Sequence, residues 1–548
     1  MGKNVRRDIF AVIKRFLFIS LLLFIATNWA QVQVVQAQQS GNPPSDYITL
    51  YPGVFTEREK PYFEQYVAEN KAIEDRGCVD IQALISGTLP KDTPGIVSTP
   101  LVVTEAMIRY NNEKYDPENP VLNDTEYAKK LGYENIFGFP TFGANDDSIL
   151  KAFPAQARDK LLVSDLNHNI TYYRPIYPGD TLYTVINKLS FIDATPPEGA
   201  IYRSLAMQFE GSLYNQKGEK VNDCIFRVTE NLGILKEGKT VAGSGGPNAA
   251  WVSPAWTSRP AHYYTDEDWE YIKKLWKQEK RQGATPLYWE DVKVGDYPTP
   301  TVDGPLLATP NPTQPYGMGI GGSRTMKKEM LDPDIFKTMI RDENTGIYTL
   351  PNREDYIPTA PEGGRGPGGG APPPDQGGAP GAGAPPGREG GARGAGAPPA
   401  GGGPDTGEID VREIHRQVGT ERAVLINYMG RDIAVRHINN WMGDHGWIYN
   451  IRWSIMAPTA HAAVGLTVPD SPFSERYVQR VPKLAKENKV VNAHGLTTDI
   501  AIVQSYIEDK YVRDGEFFVD LVWWIQTIEG DIFEEGGATV RLPSKKAK

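Results

Sequence analysis

The sequence predicts an α+β protein of two similar globular halves, each one helix followed by an antiparallel meander of strands. Three observations predict it. In the first half, strand-like runs at 170–173, 181–189, 201–210 and 223–230 are separated by turn residues such as Pro178-Gly179-Asp180 and Gln216-Lys217-Gly218. In the second half, 431–442 places Ile433, Val435, Ile438 and Trp441 at roughly helical spacing, with Gly430 before it and Gly443 after it. Strand-like runs at 517–526 and 537–542, joined through Glu529-Gly530-Asp531, follow that helix. One helix followed by alternating strands, occurring twice, is an α+β plan.

Taken in order, residues 1–37 read as a secretory signal peptide. Arg6, Arg7, Lys14 and Arg15 precede a short apolar run, and Val35-Gln36-Ala37 is an acceptable cleavage site. The run is short for a membrane span of about 20 residues, which favours a cleaved signal over the alternative of an uncleaved N-terminal anchor. No later stretch is long and apolar enough to span a bilayer, so the expected location is periplasmic or extracellular. Residues 45–235 form the first domain and 236–285 a linker with a short helical pattern around 266–280. Residues 286–544 form the second domain. The stretch 361–404 holds 18 Gly and 11 Pro without a kept G-x-y period, which predicts a disordered insertion rather than a collagen helix.

Composition narrows the function. The chain has 548 residues, enough for two to four domains, and 40% hydrophobic content is enough for packed cores. A formal charge of −10 argues against a nucleic-acid partner. Two cysteines, Cys78 and Cys224, are too few for a disulfide scaffold or a zinc site. Export would let them pair, and two unpaired thiols are the equal alternative.

Several segments together resemble one family. Tyr172-Tyr173-Arg174-Pro175-Ile176-Tyr177-Pro178-Gly179-Asp180-Thr181-Leu182 resembles the strand entry of MaoC-like dehydratases. So do Asp116 to Asp124, Tyr127-Ala128 and Phe137 to Phe142. In the second half, Tyr288 to Asp296 with Gly304-Pro305-Leu306, Asn440 to Trp447, and Gly536 to Ser544 match again. The resemblance covers most of 45–235 and 286–544. It implies a double hotdog fold, each half an antiparallel sheet wrapped around a central helix. It also implies hydration of 2-enoyl, or dehydration of 3-hydroxyacyl, thioesters.

Such chemistry needs a base, an acid and donors for an enolate-like oxygen. The family's D-x-N-P-x-H motif supplies an Asp and a His five residues later. In the first half Asp116 and Asn119-Pro120 are one residue out of step, and Leu122 stands where the histidine would be. Leucine transfers no proton, so this half is expected to be silent, with Asp116, Asn119 and Asp124 serving turns and caps. In the second half Asp410 and His415 keep the spacing just before the helix, and are the expected proton-transfer pair. Gly430 and Arg431, at the expected helix start, are the expected oxyanion and substrate-binding positions. The alternative pair centres on His437 with Asp432 or Asp444.

No metal is expected, because no H-x3-H or HExxH spacing exists. No cofactor is expected, and neither nucleotide-binding glycine pattern precedes a strand–helix unit. Coenzyme A could form part of the substrate, but it is cytoplasmic and export conflicts with it. The expected partner is therefore a small acyl or carbonyl compound, and the sequence leaves a homodimer open. The tryptophans at 441, 447, 453, 523 and 524 read as a pocket lining or, more commonly, as core. Two readings of different class remain. One is an exported hydratase or dehydratase. The other is a non-catalytic double hotdog protein that binds a hydrophobic small molecule or a partner.

Overall fold

A computed structural model describes residues 46–97, 100–143, 155–239, 261–305, 327–349, 428–454, 498–529 and 532–546. The expected signal segment 1–37, the insertion 361–404, and the pair Asp410 and His415 lie outside the described residues.

The first half contributes β1 (Leu101–Val102), β2 (Lys160–Tyr172), β3 (Thr181–Asp193), β4 (Arg203–Tyr214) and β5 (Lys220–Gly233). The second contributes β6 (Thr301–Asp303), then β7 (Ile340–Arg341) and β8 (Tyr348–Thr349), which form a separate ribbon. It continues with β9 (Trp447–Ser454), β10 (Ala501–Arg513), β11 (Glu516–Gln526) and β12 (Ile532–Arg541). Ten of these strands make one sheet in the order β1-β3-β4-β5-β2-β9-β12-β11-β10-β6, and the pairings are antiparallel.

That order is an internal repeat. Read from the outer edge inward, the first half runs first, third, fourth, fifth, second strand. The second half, β6-β10-β11-β12-β9, repeats the same permutation from the other edge. The halves meet where β2 pairs β9, from Asn167 opposite Ser454 to Thr171 opposite Asn450. Asn450 Nδ2 strengthens the seam by donating to Asn169 Oδ1 at 2.7 Å and to the Ile170 carbonyl at 3.0 Å. The fold is α+β, a double hotdog as expected.

Four of the described helices matter for the site. Helix α1 (Lys60–Arg76) lies on β3, where Leu189 N donates to Asn70 Oδ1 at 2.9 Å. Helix α2 (Glu105–Tyr115) is N-capped by Thr104. Helix α3 (Asp266–Gln278) starts with a capping box between Thr265 and Asp268. Its Trp269, Ile272, Leu275 and Trp276 pack with Val302, Ile500 and Ile502. Within the expected linker 236–285, this helix thus forms part of the second half's core.

Helix α4 (Tyr428–Met442) is the central helix of the second half. Every residue from Arg431 to Asn439 is buried. A helix buried all round needs partners for its polar side chains, and the charged ones here have them. Arg436 pairs with Asp303 at 3.3 Å, and Asn439 Nδ2 donates to Asp116 Oδ2 at 3.1 Å. The helix ends at Gly443, whose φ of 70° is the left-handed cap that a side chain disfavours. One core cluster joins Phe139, Phe209, Phe226 and Ile170 of the first half to Ile433, Ile438, Trp453 and Trp523 of the second. Cys78 is exposed and Cys224 is buried in β5, so the two do not form a disulfide with each other.

Candidate functional site

Helix α4 organises two polar sites, one at each end. At its first turn, Gly430 lies inside the helix rather than before it, because the helix starts at Tyr428. A Cβ on Gly430 would collide with the carboxyl group of Glu534, which β12 delivers to this point. The close approach expected at Gly430 is therefore made by a protein carboxyl group. Glu534 is 3% exposed, and Trp453 Nε1 donates to its Oε2 at 2.9 Å. Next to it Arg431 pairs with Asp432 at 3.3 Å, and the Arg431 guanidinium lies 5.4 Å from the Trp453 ring centroid.

The electrostatics follow from this arrangement. Two buried carboxyl groups face one guanidinium, so one of them keeps its proton. Burial pushes Glu534 up to about 8, and Asp432 pushes the same way against Trp453 and Arg431. Burial also raises the Tyr115 phenol well above its ordinary value, with Asp432 adding to the effect. At neutral pH Glu534 is a buried carboxylic acid, a group that donates a hydrogen bond or a proton. The sequence reading missed it. The only signal was a pair of glutamates, Glu534-Glu535, inside a strand that begins at Ile532, five residues before the expected start at 537.

His437 sits in the middle of α4. Thr301 Oγ1 is 3.1 Å from its Nδ1 and Ser505 Oγ is 2.8 Å from its Nε2. Burial, with Arg436 nearby, lowers its pKa to about 3, so the ring is neutral. The two carboxylates expected beside it are engaged elsewhere. Asp432 pairs with Arg431, and Asp444 pairs with Arg281 while accepting from Tyr127 Oη at 2.7 Å. His445 is exposed and approaches the Ala284 carbonyl at 3.2 Å.

The second site is at the other end of α4. Asp116 caps the end of α2, and its Oδ2 accepts from Asn119 at 2.9 Å and from Asn439. Asn119 also caps the next helical turn, and its Oδ1 accepts from Arg281 at 2.8 Å. Asp124 caps the turn after that. The expected capping roles hold, and the first two residues additionally bind the linker arginine and α4. Burial raises the Asp116 pKa, while Arg281 and the two amides pull it down. Asn112 fixes the loop around this knot, because its side chain bonds the backbone of Leu122, Phe137 and Phe139.

Beside the knot is a narrow apolar pocket of about 40 Å³ lined by residues of both halves, among them Leu122, Phe137, Phe139, Tyr172, Met442 and Trp447. It adjoins an open cleft of about 350 Å³. Of the tryptophans, Trp453, Trp523 and Trp524 are core residues, and Trp447 lines the pocket. Among the described residues no three His, Cys, Asp or Glu side chains are grouped to hold a metal. Among the same residues no helix is long and apolar enough to cross a membrane.

No protein-family model matches the chain, and no curated protein does. Solved structures do resemble it. A MaoC-like dehydratase is 13% identical, with a TM-score of 0.37 over 82% of this chain and 97% of that one. A putative MaoC domain dehydratase from Chloroflexus aurantiacus is 10% identical, with a TM-score of 0.35 over 82% and 94%. A conserved hypothetical protein from Mycobacterium tuberculosis, described as a double hotdog fold, is 9% identical, with a TM-score of 0.36 over 81% and 93%.

Proposed function

We propose that this chain is a hydro-lyase that adds water to, or removes it from, an unsaturated or 3-hydroxy acyl thioester or a related carbonyl compound. The observation that carries the reading is the buried acid at the first turn of α4. Glu534 holds its proton to about pH 8 beside the Arg431–Asp432 pair, in the half whose motif keeps both Asp410 and His415. Proton-transfer chemistry uses carboxyl groups set to different pKa values in one enclosed place. His415 is the proposed base or acid, with Asp410 sharing the proton or orienting the ring. The first-turn amide of Arg431 is the proposed donor to the developing oxyanion, since the Glu534 carboxyl group takes the close approach at Gly430. The first half serves as scaffold. No cofactor takes part in this scheme.

The signal-like segment 1–37 supports work outside the cytoplasm. There a substrate with a small thiol or no thiol is favoured over a coenzyme A ester. The test is loss of enoyl absorbance with 2-enoyl N-acetylcysteamine and coenzyme A thioesters. His415→Ala and Asp410→Asn should each lower turnover by about 10²–10⁴-fold without changing the circular dichroism. Rates close to the parent's in both variants would reject the pair. The non-catalytic binding reading rests on a different observation, the narrow pocket at the far end of α4. It takes the lead if the parent turns over none of these compounds.

A further inference from the structure

Helix α2 of the first half ends beside α4 of the second and meets it at two points. Asp116, its C-cap, accepts from Asn439 at 3.1 Å, and Tyr115, its last residue, hydrogen-bonds Asp432. Residues 432 and 439 are seven apart and lie on one face of α4, so that face is the one turned to α2. The partly buried Tyr115 ring is held by Phe139, stacked at 5.4 Å between centroids with 29° between the planes. Asn112, about one turn earlier on α2, fixes Phe139 in turn by accepting from its backbone amide at 2.7 Å. The half whose motif has Leu122 for histidine thus delivers a phenol to the acid site of the other half.

The two carboxyl groups at the first turn of α4 keep unequal company. Asp432 has the Arg431 guanidinium at 3.3 Å and the Tyr115 phenol, and both favour its ionised form. Glu534 is buried with a neutral donor, Trp453 Nε1 at 2.9 Å. Burial and the Asp432 charge hold the phenol protonated, so it donates throughout the neutral range. We infer that Tyr115 is a positioning residue of the acid site: by donating to Asp432 it keeps the negative charge there and leaves the shared proton on Glu534. Without that hydroxyl the two carboxyl groups compete more evenly for Arg431. Tyr115 acts through Asp432 and not on the substrate. The inference rests on the acid site of the hydro-lyase reading and deepens it, because both halves then build that site. It is tested on the resting protein without turnover, so its failure and the failure of the hydro-lyase reading are distinct results.

Infrared difference spectroscopy of the full chain at pH 7 reads which carboxyl group holds the proton, because the C=O stretch of a protonated carboxyl is separate from that of a carboxylate. The parent minus Glu534→Gln should show a protonated-carboxyl band that shifts when the glutamates are isotopically labelled and ignores labelled aspartate. Tyr115→Phe removes only the hydroxyl and keeps the stack on Phe139, so its circular dichroism should match the parent's. In it the preference of the proton for Glu534 over Asp432 should fall about ten-fold or more, the loss of one charge-assisted hydrogen bond. The glutamate band then gives way to one that shifts with labelled aspartate. An unchanged glutamate band in folded Tyr115→Phe would overturn the inference. Asp432→Asn gives a second reading that does not depend on the folding of Tyr115→Phe. There Glu534 has Arg431 to itself and should ionise, losing its band. A Glu534 band that survives in Asp432→Asn would overturn the competition through which Tyr115 acts.

Discussion

Glu534 and His437 lie in one half and respond to pH in opposite directions. Glu534 has a folded pKa of about 8 against an ordinary 4.5, so the folded state favours its protonated form. Its contribution to stability is complete below about pH 4.5 and is lost as the pH rises through 8. Each unit is ~1.4 kcal/mol, so the loss is on the order of 4–5 kcal/mol. Glu534→Gln keeps an acceptor for Trp453 Nε1 and cannot ionise. Its melting temperature should match the parent's near pH 5 and exceed it increasingly towards pH 9. A constant offset between the two curves would show that the carboxyl is not the titrating group. For His437 the folded pKa of about 3 lies below the ordinary 6.5. Stability from the neutral ring is present above pH 6.5 and is lost as the pH falls towards 3. His437→Gln should lose about 1–3 kcal/mol at pH 7, from the hydrogen bonds to Thr301 and Ser505. It should also show a flatter acid limb in a melting series from pH 7 to 4.

Among the elements, the helices and strands differ in how plainly the sequence announces them. Helix α4 is expected at 431–442 and found at Tyr428–Met442, because its apolar spacing and the glycine after its end are local signals, whereas Gly430 falls inside it. Strand β11 is expected at 517–526 and found at Glu516–Gln526 for the same reason. By contrast β2 is expected at 170–173 and runs Lys160–Tyr172. Its earlier part carries Asp165, Asn167, His168 and Asn169, polar residues that interrupt the apolar alternation a strand would show. His168 is nevertheless 1% exposed, its ring packed edge-on to Trp453 of the neighbouring strand at 4.4 Å. Pairing across the seam decides that strand, and a single sequence does not display pairing. The same holds for the acid at α4: the glutamate is visible, but its approach to Gly430 depends on the register of β12 against β9 and β11. At the capping box of α3, the local signal is complete. Thr265→Ala should therefore lower stability by ~1 kcal/mol, read from denaturant midpoints. No change there would mean that the tryptophan packing alone holds the helix.

At the scale of the whole molecule, the repeated strand order and the shared core make the halves one cooperative body. Ile451 of β9 is fully buried and lies opposite Ile170 in the β2–β9 register. Ile451→Ala should cost about 2–5 kcal/mol and move one calorimetric transition, not one of two. Two resolved transitions, with only one displaced, would show that the halves unfold separately. The repeat also explains an asymmetry in chemistry. The first half has Leu122 in its motif and an apolar pocket, while the second keeps Asp410 and His415 and places a buried acid at the start of its helix.

The central claim, that this double hotdog chain moves water across a carbonyl-conjugated double bond, has a direct readout in product mass. Purified protein is incubated with a 2-enoyl N-acetylcysteamine thioester, and the mixture is followed by mass spectrometry. The account predicts a product heavier than the substrate by one water, formed by the parent and reduced about 10²–10⁴-fold in His415→Ala. A substrate that keeps its mass with folded parent protein, across short and long acyl chains and in both reaction directions, would contradict it.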